Sequence, residues 1–133
     1  AMVPVPGYSC IQGIPMDQFL RPEAIARIIE RTKHGGAEIL ALKKSGSANV
    51  APAASIAAMV DAVVYDRRRI LTCVAILDGE YRQQDIAMGV PVVLSKAGVE
   101  KVVELKLTKA ETAMFAESAQ SIRHDITRGN SSG

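Results

Sequence analysis

The sequence predicts one domain of the α+β class over residues 1–133, and three observations support this prediction. A chain of 133 residues has the ordinary length of a single domain. Apolar residues recur with a helical period in some stretches, and runs rich in Val, Ile and Leu lie between them. Hydrophobic residues make up 48% and charged residues 23% of the chain, which is close to the globular average.

The composition also excludes several classes of partner. The net charge of +2, from 16 basic and 14 acidic residues, is too small to predict binding to nucleic acid. No apolar run approaches the roughly 20 residues that span a bilayer, and Pro4, Pro6 and Gly7 interrupt any N-terminal signal peptide. Cys10 and Cys73 predict reduced, packed thiols of a cytoplasmic protein, with a disulfide as the alternative.

The first long helix is predicted from Pro22 to Lys44, because apolar residues there repeat about every 3.6 positions. Pro22 suits its first turn, where a backbone N–H has no partner inside the helix. Gly35 and Gly36 lie within the pattern and cost on the order of 2 kcal/mol relative to alanines. We therefore expect a kink there, or another backbone packed closely against them.

A second helix follows the small-residue stretch Gly46–Ser55 and is predicted to end near Asp66–Arg69. Its large apolar residues recur on one side, which predicts a buried face. They are Ile56, Met59, Val60, Val63 and Val64.

Three strands are predicted next, at Ile70–Leu77, Gly89–Ser95 and Val99–Leu107, with a turn at Asp78-Gly79 and a hairpin loop at Lys96–Gly98. A further short extended segment is expected around Tyr8–Gln12.

The last helix is predicted to begin with a capping box, in which the Thr108 side chain accepts a backbone N–H and Glu111 reaches back. It is expected to end at Gly129. The face it should bury carries Phe115, Ala119, Ile122 and Ile126.

Catalytic motifs are scarce in this sequence. It contains no glycine-rich phosphate loop, no cysteine pair at metal-ligand spacing and no nucleophile elbow. His34 and His124 fit solvated positions late in helices better than catalytic ones. Arg67–Arg69 indicates a solvated helix end, and an anion site is the less favoured alternative.

The stretch Gly46–Ser55 has two interpretations. Small side chains at the head of a helix permit tight helix packing within the domain. They also suit the wall of a ligand pocket, where the N–H groups of a helix start favour a carboxylate. The physics of the sequence alone leaves both open.

A series of motifs in fixed order resembles the C-terminal domain of the lactate/malate dehydrogenase family, and most closely its malate dehydrogenases that look like lactate dehydrogenase. The fold implied is a mainly antiparallel sheet packed with long helices. The motifs are MVPVPGYS at Met2–Ser9, GIP at Gly13–Pro15, RTKHGGAEILAL at Arg31–Leu42, GSANVAPAAS at Gly46–Ser55, RRRILTCVAILDGEY at Arg67–Tyr81, GVPVVL at Gly89–Leu94 and GVEKVVEL at Gly98–Leu105.

The resemblance implies an enzyme of the tricarboxylic acid cycle, a homo-oligomer of two or four subunits that transfers hydride between malate and NAD. In the family a Rossmann half binds NAD and carries the catalytic histidine, both upstream of the segment that begins here at Met2. We therefore expect that this chain lacks the Rossmann half, holds no catalytic residue, binds no NAD by itself and is inactive alone.

The resemblance implies that some residues of this chain form the wall of the substrate pocket. Ala48 matches a family position beside the substrate, and Ser47 is its neighbour. Pro52 matches a position near the nicotinamide ring. Asn49 and Val50 depart from the aromatic pair often found there, so the pocket edge is expected to differ.

Three alternatives accompany this interpretation. One is a lactate dehydrogenase rather than a malate dehydrogenase, because the loop that selects the substrate lies outside these residues. Another is a non-catalytic interaction or scaffold domain of the same fold. The third is a related NAD-dependent glycosidase, but the metal ligands and longer insertions that it needs are missing from the sequence.

Overall fold

The computed structural model describes residues 2–44, 46 and 48–130. It divides into two compact units, one formed by Ala1–Ala48 with Leu107–Met114 and the other by Asn49–Lys106 with Phe115–Gly133. The predicted α+β class and the mainly antiparallel sheet are both confirmed. In chain order the elements are β1 (Cys10–Ile11), β2 (Ile14–Pro15), α1 (Pro22–Lys43), α2 (Val50–Val64), β3 (Arg69–Asp78), β4 (Gln84–Ser95), β5 (Gly98–Val102) and α3 (Lys109–Asn130).

The first unit starts with a small hairpin and continues into α1. β1 pairs with β2 antiparallel, so the extended segment expected around Tyr8–Gln12 is shorter and two-stranded. Gln12 and Gly13 make its turn with φ of 53° and 82°. At the other end of α1, the Lys44 N–H donates to the Leu40 carbonyl oxygen at 3.2 Å, and φ of 61° at Lys44 stops the helix.

Gly35 and Gly36 do not behave as expected. α1 runs without interruption from Pro22 to Lys43, so the predicted kink is wrong. A Cβ added at either glycine meets no atom of the described structure within 4 Å beyond its own surroundings in the helix, so close packing of another backbone is not found either. Neither glycine is required by the local fold of this chain.

Replacing both glycines therefore tests α1 directly. We expect Gly35→Ala with Gly36→Ala to raise the free energy of unfolding of the 133-residue chain by about 1–2 kcal/mol, because alanine loses less backbone entropy in a helix. Urea denaturation followed by circular dichroism gives this value. A destabilised double variant would show that the glycines are approached by another part of this chain.

The second unit is built on a three-stranded antiparallel sheet in the order β3-β4-β5. Alternation along β3 and β4 separates a buried face from an exposed one, as a strand period of two requires. The buried face supplies most of the core. Its members are Cys73, Ala75 and Leu77 on β3, and Ile86, Met88, Val90, Val92 and Leu94 on β4.

Strand bounds differ from the prediction by more than one residue at the start of β4 and at the end of β5. β4 begins at Gln84 rather than Gly89, because Ile86 and Met88 pair with Leu77 and Ala75 of β3. β5 ends at Val102, and the following residues leave the sheet. Val103 still donates its N–H to the Pro91 carbonyl oxygen at 2.8 Å.

Tyr81 forms hydrogen bonds with residues 103–105, the segment that follows β5. Its hydroxyl donates to the Val103 carbonyl oxygen at 2.8 Å and accepts the Leu105 N–H at 2.9 Å. The Tyr81 N–H donates to the Glu104 carboxylate at 2.7 Å. The Tyr81 ring stacks on Phe115 of α3 with centroids 4.9 Å apart, so Tyr81 contacts both this segment and α3.

The capping box at the start of α3 is confirmed. Thr108 donates its N–H to the Glu111 carboxylate at 2.7 Å, and its hydroxyl accepts the Glu111 N–H at 3.2 Å. Phe115 and Ala119 are buried as predicted, whereas Ile126 is exposed, so the buried face ends before the helix does. α3 itself continues through Gly129 to Asn130.

The burial of α2 departs from the prediction. Ile56, Val60 and Val64 are exposed, whereas Ala62 is fully buried. α2 approaches β4, and short side chains permit a close approach of helix to sheet. The predicted buried face is therefore wrong for most of its members, since Met59 is also exposed and Val63 is half-buried.

Candidate pocket-wall residues

The two histidines lie where a solvated role predicts. His34 is exposed on α1, where its Nε2 atom lies 3.0 Å from the Glu30 carboxylate. The hydrogen bond with His34, followed by the charge of Lys33, holds the pKa of Glu30 below its ordinary value. His124 is exposed on α3, with its Nδ1 atom 3.9 Å from the Asp125 carboxylate. Neither imidazole lies in an enclosed site suited to a general base.

The arginine run is exposed but ion-paired. Arg67 contacts the Asp61 carboxylate at 2.6 Å, and Arg69 reaches the same carboxylate at 3.8 Å. Arg68 lies 3.4 Å from Glu100. The Arg67 guanidinium also lies 4.9 Å from the centre of the Tyr65 ring. α2 ends at Val64 rather than near Asp66–Arg69, so the run follows the helix end and Arg69 begins β3, with protein carboxylates as the partners of these cations.

The described residues contain no disulfide and no cluster of metal ligands. Both cysteines are free thiols. Cys73 is buried as expected, but Cys10 is exposed on β1, because that two-residue strand has no buried face. No group of three potential metal ligands occurs in the ranges given above. None of the helices in those ranges is both long and apolar enough to cross a membrane.

Ala48 lies in irregular backbone between the two long helices. Gly46 before it adopts φ of 75°, which a glycine takes without strain. Ala48 itself is half-buried. Its side chain is therefore neither a core residue nor a fully solvated one. Ser47, the other predicted substrate neighbour, lies outside the described residues.

Pro52 occupies the first turn of α2, where the missing N–H of proline removes no helical hydrogen bond. The helix closes around it, because the Ala53 N–H donates to the Asn49 carbonyl oxygen at 3.0 Å. The Ser55 hydroxyl donates to the Ala51 carbonyl oxygen at 3.1 Å. Pro52 is exposed, and so is every residue from Asn49 to Ala57.

The outward face of α2 is more apolar than a helix surface in water usually is. Val50 in its first turn is 79% exposed, and an apolar stripe continues along the helix. The sequence interpretation assigned this stripe to the core of the domain. Two alanines four residues apart, Ala58 and Ala62, were the available signal that another side makes the close contact. An exposed apolar stripe of this kind is typical of surfaces that bind a ligand or another protein.

Comparisons with known proteins agree with this geometry. Residues 2–132 match the family model described as lactate/malate dehydrogenase, alpha/beta C-terminal domain. A malate dehydrogenase from Thioalkalivibrio sulfidiphilus is 58% identical over 128 residues, which cover 96% of this chain and 42% of that protein. The solved malate dehydrogenase of Salinibacter ruber is 41% identical with a TM-score of 0.89, over 98% of this chain and 44% of its own.

The same fold occurs in a lactate dehydrogenase. The solved enzyme from Cryptosporidium parvum is 31% identical with a TM-score of 0.87, over 92% of this chain and 42% of its own. The chain belongs to the lactate/malate dehydrogenase family and matches its C-terminal domain. It spans 42–44% of the length of these three relatives.

Proposed function

We propose that the complete protein is an NAD-dependent malate dehydrogenase, which interconverts malate and oxaloacetate, and that residues 1–133 form its substrate-side domain. The observation that carries this proposal is the outward-facing start of α2, where every residue from Asn49 to Ala57 is exposed. A run of small residues that packed within its own domain would be buried. The wall of an active site is exposed in this way when neither its ligands nor the opposing half of the protein is bound against it.

Ala48 would form part of the wall beside the substrate. A methyl group is the smallest side chain that still shapes a wall, so a residue of this size leaves room for a dicarboxylate. The half-burial of Ala48 supports this role, because the side chain is held in place yet accessible. Ser47 is proposed as its neighbour on the strength of the family resemblance alone.

Pro52 would lie beside the nicotinamide ring of NAD. Its exposed pyrrolidine ring is rigid and apolar and carries no N–H, so it offers a surface for an aromatic ring without a competing donor. Bound NAD would supply the hydride acceptor. The residues that hold its phosphates and exchange the proton would belong to the Rossmann half of the complete protein.

Malate is favoured over lactate by the relatives. The Thioalkalivibrio protein, at 58% identity, is a malate dehydrogenase, whereas the lactate dehydrogenase of Cryptosporidium parvum is 31% identical. A scaffold domain of the same fold is less favoured, because the relatives at 58% and 41% identity are both malate dehydrogenases. The proposal further includes a cytoplasmic homo-oligomer of the tricarboxylic acid cycle that binds neither nucleic acid nor membranes.

The activity of the complete protein tests this function. We expect it to consume NADH with oxaloacetate at least about a hundredfold more efficiently than with pyruvate, since a site built for a second carboxylate leaves charged groups unpaired when that carboxylate is missing. The fall in NADH absorbance measures both rates.

The control for this assay is the 133-residue chain alone, for which we expect no turnover. Its described histidines are exposed on helices, and proton exchange with the substrate needs a positioned general base. Preference for pyruvate would establish the lactate alternative. Inactivity of the complete protein with both keto acids would support the scaffold alternative.

A further inference from the structure

An ion pair on α1 joins two residues that are seven positions apart in the chain, and the proposed function does not use it. The Arg31 guanidinium donates to the Glu38 carboxylate through Nε at 3.1 Å and through Nη2 at 2.9 Å. Seven residues are almost two helical turns, so the pair spans about 10 Å along one side of α1. Ion pairs on helices normally join residues three or four positions apart. This bidentate pair therefore links turns of α1 that the usual pairs do not.

Gly35 lies on the same side of α1, between the two partners. It stands four residues after Arg31 and three before Glu38, where a long side chain would come between them. A notch of about 550 Å³ lies over this part of the helix, and exposed apolar side chains complete its lining. They are Ile28, Ile39 and Leu42. The ion pair thus crosses the helix beside a residue that has no side chain of its own.

α1 is weak at this point. Two adjacent glycines lower the stability of a helix, because glycine loses the most backbone entropy when it folds. No residue of Pro22–Lys43, all of which the structure describes, is buried, so the core of the chain does not hold the helix straight. Interactions along the surface of α1, such as the Arg31–Glu38 pair, therefore have a larger share in keeping it straight.

The attraction between the two partners affects the protonation of both. The hydrogen bond from Arg31, followed by its charge, holds the pKa of Glu38 below its ordinary value. The same hydrogen bond and the charge of Glu38 raise the pKa of Arg31. The two side chains are 78% and 45% exposed, so water and salt screen their attraction. A bidentate pair at this exposure changes the population of a bent helix by a few-fold rather than by orders of magnitude.

The end of α1 leads into the proposed substrate wall. Four residues separate Lys43, the last residue of α1, from Ala48, and both belong to the same compact unit. The end of α1 lies about 10 Å beyond Gly36, so a bend of roughly 10° at Gly36 would displace it by about 2 Å. Misplacement by about 1 Å is enough to impair a reaction when it reaches an active site. The straightness of α1 therefore bears on the position of Ala48.

We propose that Arg31 and Glu38 are positioning residues, whose ion pair keeps α1 straight across Gly35 and Gly36 and thereby holds Ala48 in its place in the substrate wall. The glycines allow the helix to bend, and the pair opposes the bend. Neither charged side chain is required to contact the substrate. The link to Ala48 rests on the proposed function, whereas the effect of the pair on α1 does not.

Amide hydrogen exchange in the 133-residue chain at neutral pH tests the effect on α1. We expect Glu38→Gln to speed exchange at residues 36–40 about two- to fivefold, because their N–H groups bond to carbonyls across the two glycines. Glu30→Gln is the matched control, since the partners of that exposed carboxylate lie before the glycines, and it should leave exchange at residues 36–40 unchanged. In a chain that carries Gly35→Ala and Gly36→Ala, the effect of Glu38→Gln should largely disappear.

The activity of the complete protein tests the link to Ala48. Glu38→Arg puts two cations beside each other and should raise the Michaelis constant for oxaloacetate at least about twofold, because fewer molecules then have the wall in place. The value of kcat should change little, since the molecules that bind substrate are those with a straight α1. Arg31→Glu should act in the same way. The double variant, Arg31→Glu with Glu38→Arg, should restore the Michaelis constant, because it keeps the pair with its charges reversed.

Restoration by the double variant would support the proposal. Unchanged hydrogen exchange at residues 36–40 in Glu38→Gln would overturn it, and so would a double variant no better than the single ones. Faster exchange with an unchanged Michaelis constant in Glu38→Arg would overturn the link to Ala48. Inactivity of the unsubstituted complete protein would refute the proposed function instead, and the exchange rates would still decide whether the pair keeps α1 straight.

Discussion

Leu77→Ala is expected to lower the free energy of unfolding of this chain by about 2–5 kcal/mol, because it truncates a large side chain in the centre of the core. Leu77 has no exposed surface and faces the core side of β3, where it pairs with buried Ile86. Truncation removes the transfer free energy of its side chain and leaves a cavity between sheet and helices. Urea denaturation at a concentration too low for association gives the value.

The neighbouring residue is the control for that change. Ile76 points to the opposite face of β3 and is 75% exposed, so Ile76→Ala should alter the free energy of unfolding by no more than about 0.5 kcal/mol. Equal losses from both variants would mean that both faces of β3 are buried. A large loss of unfolding free energy from Ile76→Ala alone would mean that the buried and exposed faces of the sheet are the reverse of those described.

Local signals made α3 and the start of α1 predictable. The capping box Thr108–Glu111 combines two side chains with fixed spacing, and the structure contains both of its hydrogen bonds. Pro22 marks the first turn of α1, as proline at that position should. Elements with signals inside their own few residues can be located without knowledge of the rest of the fold.

The start of β4 and the end of β5 could not be predicted from the sequence, because each depends on contacts with another part of the chain. Gln84 and Asp85 suggest a loop by their polarity, yet β4 begins at Gln84 because β3 pairs that far. The end of β5 is set by the Tyr81 hydroxyl, which bonds the Val103 carbonyl oxygen and the Leu105 N–H, so neither group pairs with β4. The β5 bound depends on contacts 22 and 24 positions apart in the chain, and the β4 bound depends on its pairing with β3.

The face of α2 that is buried was also beyond sequence reasoning. Periodicity identifies an apolar stripe, but it does not say what covers the stripe. Ile56 and Val60 were assigned to the core and are exposed, whereas Ala62 makes the buried contact. For the same reason the physics of the sequence left the role of Ala48 and Pro52 open, and only the family resemblance gave these two residues a proposed role.

Ala48→Trp separates the two interpretations of the small-residue stretch. In the 133-residue chain it should change the free energy of unfolding by no more than about 1 kcal/mol, because a half-buried residue in irregular backbone can turn a larger side chain toward solvent. In the complete protein the indole introduced by Ala48→Trp should occupy the space that the substrate needs. We expect the Michaelis constant for oxaloacetate to rise at least about tenfold, or turnover to be lost, in an assay of NADH consumption.

The control for Ala48→Trp is Ala113→Trp, which places the same bulk at an exposed alanine of α3. That variant should match the unsubstituted protein in stability and in activity, so any effect of the indole itself is removed from the comparison. A loss of several kcal/mol from Ala48→Trp in the isolated chain would identify Ala48 as core and remove it from the proposed site. Full activity of Ala48→Trp in the complete protein would contradict the substrate wall even if the fold were unaffected, because no dicarboxylate could then lie beside residue 48.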